Sequence, residues 1–107
     1  MEELDAWQLA HACKLAGYEV VRESGEASAD WAYKRQVYKA LSGGESNIDE
    51  GFYRYRAASF VLFLSYARSS LAEARRRLRD GVDRRYFNAE RVEPTIEEPV
   101  RNSVCEA

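Results

Sequence analysis

Apolar residues recur along this chain at intervals of three and four, the spacing of one face of an α-helix. Leu4, Trp7, His11, Lys14, Tyr18 and Val21 keep that interval, with Lys14 as a polar interruption and Leu15 widening the stripe. They predict a first helix from about Glu3 to Glu23. Glu2, Glu3 and Asp5 stand in or near its first turn, where the helix dipole favours negative charge. Ser24, Gly25 and Ser28 predict a loop, with Gly25 as a left-handed helix terminator.

A second helix is expected from Ser28 or Ala29. Trp31, Tyr38, Leu41, Ile48, Phe52 and Tyr55 form a seam of sevens, threes and fours. The seam keeps its phase across Ser42, Gly43 and Gly44, where a turn would normally reset it. The pattern therefore predicts one long helix to about Arg54, weakened at the glycine pair. The alternative is a loop there between two short helices. In a third helix Phe60, Leu64, Ala67, Leu71, Ala74 and Leu78 step by alternating fours and threes, a heptad seam. Phe63, Tyr66 and Ser70 lie on an adjoining stripe. Arg68, Arg75, Arg76 and Arg79 fall on the outer face, and Asp80-Gly81 is the expected stop. A fourth helix is only weakly indicated, through Tyr86, Phe87 and Val92. Pro94 and Pro99 then interrupt it, and proline in a helix interior costs about 3 kcal/mol or more. The expectation is a helical domain over 1–92 and an acidic, proline-containing tail over 93–107, extended or disordered.

If the second and third helices form an antiparallel hairpin turning near 55–57, residue i of one faces residue 112 minus i of the other, roughly. Ser69 and Ser70 then face Ser42, Gly43 and Gly44, and Glu73 lies near Lys39. Small residues on both sides allow close helix approach. That explains why two adjacent glycines are tolerated in mid-helix.

At 107 residues the chain is one domain, and its composition favours helix formers over β-branched residues. The net charge of −2 conceals a division. Residues 1–51 carry ten acids and five bases, 52–91 carry ten arginines and four acids, and 92–107 carry four acids and one arginine. A basic middle between acidic flanks can hold an anion, or it can pair with its own flanks or with a neighbouring subunit. Cys13 and Cys105 form no disulfide framework or metal spacing and predict free thiols in a reducing compartment. The longest unbroken apolar run, Phe60–Leu64, is far below the roughly 20 residues that span a bilayer. With no signal-peptide pattern, the expected place is the cytoplasm, with no membrane partner.

The candidate chemistry is sparse. Asn47, Glu50 and Arg54 stack on one helix face, and Glu50 can pair with Arg54. The set fits an exposed ion pair, a partly buried group that fixes register or a subunit contact, or a ligand contact. No second carboxylate or nucleophile–base pair accompanies Glu50, so no catalytic residue is assigned. Arg75, Arg76, Arg77 and Arg79, with Arg84, Arg85 and distal Arg68, form the basic patch. Their forked guanidinium groups suit phosphate, and equally the acids of a neighbouring subunit. Trp7, Trp31, Tyr38 and Tyr66 fall on apolar seams and are expected in the core. His11, the only histidine, has no metal-ligand spacing around it. No phosphate loop or dinucleotide fingerprint is present, so no metal or cofactor is expected.

The middle of the chain resembles the small proteins encoded by intervening sequences in bacterial 23S rRNA genes, often labelled S23 ribosomal protein. The resemblance is carried by Gln36, Ala40, Asn47, Ile48, Glu50, Gly51 and Arg54, then by Phe60, Phe63, Leu64, Ala67, Ser70, Leu71 and Glu73. Trp7 matches a tryptophan of that family's first helix, and Tyr86-Phe87 stands where the family turns into its fourth. The match covers about residues 4–90. Ser69 replaces a usual glycine, and the prolines leave room for only a short fourth helix. The resemblance implies an all-α, up-and-down four-helix bundle with a shortened or frayed fourth helix. It also implies a ring-like homo-oligomer, a pentamer, that is not an enzyme. Nucleic-acid binding, to RNA or DNA, is the family's usual suggested role. A related bundle serves as accessory subunit of diversity-generating retroelement reverse transcriptases, which implies as the alternative a module that docks such a partner protein. In either case Asn47, Glu50, Gly51, Arg54, Ser70 and Glu73 are expected to be structural.

Overall fold

The computed structural model describes residues 2–54 and 57–101, with side chains placed for 5–54 and 58–95. Five helices follow one another: α1 (Glu2–Glu23), α2 (Gly25–Ala29), α3 (Trp31–Tyr53), α4 (Ala57–Asp83) and α5 (Ala89–Arg101). No strand occurs among the described residues. No helix among them is long and apolar enough to cross a membrane.

The boundaries come from local chemistry. Ser24 accepts a hydrogen bond from the Ala27 amide at 3.1 Å and caps a short helix where a loop was expected. Gly25 opens that helix without a left-handed conformation. Asp30 closes α2 and also caps α3, accepting from the Tyr33 amide at 3.2 Å. The helix α3 then runs unbroken through Gly43-Gly44, as its conserved phase predicts.

The third predicted helix, α4, does not stop at Asp80-Gly81. It continues to Asp83 because Gly81 is a packing glycine. A β-carbon there would stand 2.3 Å from both the Tyr33 hydroxyl and the Phe87 ring. The stop is made by Arg85, in the left-handed region at φ 67°. The Tyr86 amide bonds Gly81 O at 2.8 Å and the Arg85 amide bonds Val82 O at 2.9 Å, the paired bonds of a Schellman ending.

The helix α3 is central. It packs antiparallel against α1 on one side and α4 on the other, while α1 and α4 touch only sparingly. The Cα trace measures 43 × 25 × 16 Å. Residues that meet across α3 and α4 include Gly51 with Phe63, Gly43 with Ser70 and Gln36 with Arg77. They follow the expected hairpin offset to within about three residues. Its tip at 55–56 lies outside the described residues.

The core is in two parts. One contains Val20, Val37, Leu41, Leu78, Phe87 and Val92 at the end where α5 joins. The other contains Ala10, Cys13, Ile48, Ala67 and Leu71, with Trp7, Phe60 and Leu64 partly buried around it. The heptad seam of α4 is therefore the buried one. On α3 the buried face is instead Tyr33, Val37, Ala40, Leu41, Gly44, Ile48 and Gly51. Trp31 is 69% exposed, Phe52 49% and, on α4, Tyr66 46%, so the expectation of a core role for Trp31 and Tyr66 is corrected. Small residues win the central positions because they let the backbones approach. A β-carbon on Gly44 would lie 2.8 Å from three Leu71 carbons, and one on Gly17 would lie 2.5 Å from Leu41. The large rings are displaced to the rims.

The helix α5 passes through Pro94 and Pro99, where an extended tail was expected. Tertiary contacts offset the proline penalty in its first turns. Val92 is fully buried, and Arg91 grips both Glu23 oxygens at 2.6 and 2.8 Å. At 13 residues it remains the shortest of the four longer helices. Residues 102–107 of the predicted tail lie outside the described residues.

Candidate nucleic-acid interface

On a helix, residues seven and eleven apart share a face, and this places Arg68, Arg75 and Arg79 along one flank of α4. Arg76 stands exposed about a quarter-turn away, and Arg84 and Arg85 lie past the helix end, both exposed. The six candidates thus form a strip and not one pocket. Their availability differs. Arg84 bonds Asp80 at 2.7 Å and Asp30 at 3.2 Å and lies 5.3 Å from the Tyr33 ring centre. Its hydrogen bond to Asp80, first among several causes, holds its pKa above the ordinary guanidinium value. Among the described residues, no carboxylate pairs with Arg68, Arg75, Arg76 or Arg85. The Nε of Arg75 is closed off from solvent with no hydrogen-bond partner among them. Arg77, adjacent in sequence, turns to the other side of α4. It bonds Glu73 at 3.2 and 3.3 Å and Gln36 at 2.6 Å.

The motif residues divide. Glu50 and Arg54 form an exposed pair at 3.2 Å, with Arg54 over the Phe63 ring at 5.0 Å. Such a pair contributes about 0–1 kcal/mol. Asn47 does not join it and donates to Gly43 O at 2.8 Å. Gly51 is buried under Phe60 and Phe63, where a β-carbon would come within 2.8 Å of Phe63 Cβ. The Ser70 hydroxyl donates to Ala40 O at 2.8 Å and meets Gly43 face to face. Ser69 points away and is exposed. Asn47, Ser70 and Glu73 line one polar groove between α3 and α4, with a volume of about 540 Å³.

Two polar clusters escape sequence reasoning because their members are far apart in the chain. Glu45 accepts from Lys14 at 2.8 Å and pairs with His11 at 2.8 Å, between α1 and α3. Burial pushes the Glu45 carboxyl up, but the hydrogen bonds from Lys14 and His11 outweigh it and leave the pKa below its ordinary 4.5. Trp7 stacks on His11 with ring centres 4.8 Å apart. Lys14, which interrupts the apolar stripe of α1, was the signal that α3 supplies a half-buried acid. In the second cluster Asp30 takes hydrogen bonds from the Tyr86 hydroxyl and Arg84. The Tyr86 bond lowers the Asp30 pKa, and the same bond raises that of Tyr86. Burial raises the Tyr33 pKa, and its hydroxyl donates to Arg77 O at 2.7 Å. This network fastens the α2–α3 corner to the turn that launches α5.

No group of three or more metal-ligating side chains gathers among the described residues. The chain belongs to the 23S rRNA-intervening sequence protein family, whose family model matches residues 2–102. No match is found among curated proteins or among solved structures.

Proposed function

We propose that this member of the 23S rRNA-intervening sequence protein family is a non-enzymatic, cytoplasmic helical bundle that self-associates and binds RNA or DNA through the arginines of α4. In this reading α1, α3, α4 and α5 are the four members of an up-and-down bundle. The observation that carries it is Arg68 and Arg75 on one flank of α4 with Arg76 a quarter-turn away, to none of which a described carboxylate is paired, while Arg77 and Arg84 are satisfied internally. Unpaired guanidinium groups along a helix suit a phosphate backbone, which they bind bidentately. The carboxylates best placed for chemistry are already engaged, Glu45 by His11 and Lys14 and Glu50 by Arg54. Self-association, as a pentameric ring or another closed oligomer, repeats the strip in every subunit and raises avidity without a new contact.

The test is fluorescence anisotropy with generic RNA and DNA across a salt series. Affinity should fall steeply with salt, and Arg68→Glu/Arg76→Glu should bind weakly and with a shallower salt slope. No binding by the wild-type protein at low salt overturns the interface. Light scattering tests assembly, and a clean monomer contradicts it.

A second reading, a docking module for a partner protein such as a reverse-transcriptase-like subunit, is favoured by one specific feature. Phe52, Tyr53, Val61, Leu62 and Tyr66 are all at least 46% exposed on the halves of α3 and α4 nearest their connection. Exposed apolar residues in such number mark a contact surface.

A further inference from the structure

The central helix α3 keeps one face open. It lies between the flank that meets α1, with Tyr38, Leu41 and Glu45, and the flank that meets α4, with Gln36, Ala40 and Gly43. Trp31, Arg35, Ser42, Asp49 and Tyr53 stand along this face, at intervals of four and seven that hold one direction on a helix. Trp31 is 69% exposed and Tyr53 76%, the two highest values among the large hydrophobic side chains described.

The stripe is symmetric about its middle. Counted from Ser42, a charge stands seven residues away on each side, Arg35 and Asp49, and an aromatic ring eleven away, Trp31 and Tyr53. At about 1.5 Å per residue these lie roughly 10 and 16 Å from the centre. The rings match in kind and the charges are opposite in sign. A self-complementary contact about a two-fold axis has this form, since each residue of a pair meets the other one's copy. The centre is low, because the Ser42 hydroxyl folds back to Lys39 O at 3.2 Å.

The fold itself does not account for the charges. Arg35 and Asp49 pair with no described residue. Their order also opposes the helix dipole, which favours acids near the N-terminus and bases near the C-terminus. Within α3 the first turn holds no acid and the last turn no base.

We propose that this face docks a second copy of the chain, α3 antiparallel against α3, about a two-fold axis at Ser42. Helical side chains lean toward their own N-terminus. On antiparallel helices Arg35 therefore reaches between the partner's Asp49 and the partner's Tyr53, one an ion-pair and the other a cation–π partner. Lys39, at the α4 edge of the stripe, leans toward the partner's Glu50, which leans toward it. Trp31 flanks the outer side of the partner's Tyr53. A parallel alignment would set Arg35 against Arg35 and Asp49 against Asp49, and like charges in contact are strongly unfavourable. The contact is isologous and does not depend on a ring, whose interfaces run head to tail.

Cross-linking tests it, because residue 42 meets its own copy only across a two-fold axis. Full-length Ser42→Cys is made together with Cys105→Ser, so that buried Cys13 is the only other thiol. Mild oxidation should give a covalent dimer on a denaturing gel. Glu90→Cys in the same background, exposed on α5, should not. Sedimentation over a concentration series is the second measurement, with circular dichroism to show that each variant is folded. Arg35→Glu and Asp49→Arg should each weaken self-association about tenfold or more. An equal mixture of the two should pair again, because both charge contacts then join opposite signs. A cross-link at 42 with rescue on mixing supports the contact whether or not a ring forms. A cross-link without rescue overturns the antiparallel alignment. A larger assembly that persists with no cross-link at 42 overturns the contact and leaves the ring standing. A wild type that stays monomeric at every concentration, with no cross-link, overturns both.

Discussion

Replacing Gly43 with alanine should destabilise the protein, although glycine in a helix interior is worth about 0.5–1 kcal/mol less than alanine. A β-carbon at 43 would stand 2.1 Å from Ser70 Oγ and 3.1 Å from Ser70 Cβ. The hydroxyl must swing away and give up its 2.8 Å bond to Ala40 O, a net loss of about 0.5–1.5 kcal/mol. The remaining contact with Ser70 Cβ presses α3 and α4 apart, and overpacking of this kind costs about 1–3 kcal/mol. After the helix-propensity gain, the balance is a destabilisation of about 1–3 kcal/mol. A domain of this size loses about 4–8 °C in melting temperature per kcal/mol. Gly25 is the internal control, because a β-carbon there meets nothing within 4 Å. Gly25→Ala should be neutral or stabilising by up to about 1 kcal/mol. The double variant Gly43→Ala/Ser70→Gly removes the obstacle and should lie well above the sum of the two single effects, a coupling of about 1 kcal/mol or more. Urea denaturation followed by circular dichroism, at one fixed protein concentration, measures all four proteins. The reasoning fails if Gly43→Ala is as stabilising as Gly25→Ala, or if the double variant is strictly additive.

Two further outcomes follow from the polar clusters. Glu45 has a folded pKa below its ordinary 4.5, so its contribution is complete above pH 4.5 and is lost as pH falls through the folded value. Glu45→Gln should therefore cost about 1–3 kcal/mol at neutral pH, between the values for exposed and buried pairs. It should also flatten the acid limb of a stability–pH profile, and an unchanged limb would count against the pairing. Asp30→Ala removes a helix cap and the partner of Tyr86 and Arg84 together, whereas Asp80→Ala removes only a contact within α4 and its ending. Melting temperature should fall more for Asp30→Ala, and amide exchange should rise at Val92 and its neighbours in α5. Equal effects of the two substitutions would contradict the role given to Asp30.

The helices were legible in the sequence because helix formation is governed by neighbours three and four apart. The seam of α4, the unbroken α3 across Gly43-Gly44 and the meeting of Gly43 with Ser70 all follow from spacing. Asn47, Ser70 and Glu73 were identifiable one by one, and the hairpin offset predicted Glu73 near Lys39, whereas Glu73 pairs with Arg77 and shares only the lining of the groove with Lys39. Which face of α3 is buried was not legible. The seam of sevens, threes and fours suggested Trp31 and Phe52, but the distance between backbones is settled only when two helices meet, and there glycine and alanine take the centre. The same ambiguity attends Gly81, since a glycine that ends a helix and one that admits a neighbouring ring look identical along the chain. Only the assembled fold shows Phe87 and Tyr33 against it, and Arg85 making the turn. Likewise Glu45 meets Lys14 and His11, and Tyr86 meets Asp30, across separations of 31 to 56 residues. Pairings so distant leave no periodic trace, because they depend on how whole helices are placed and not on the order of residues within one.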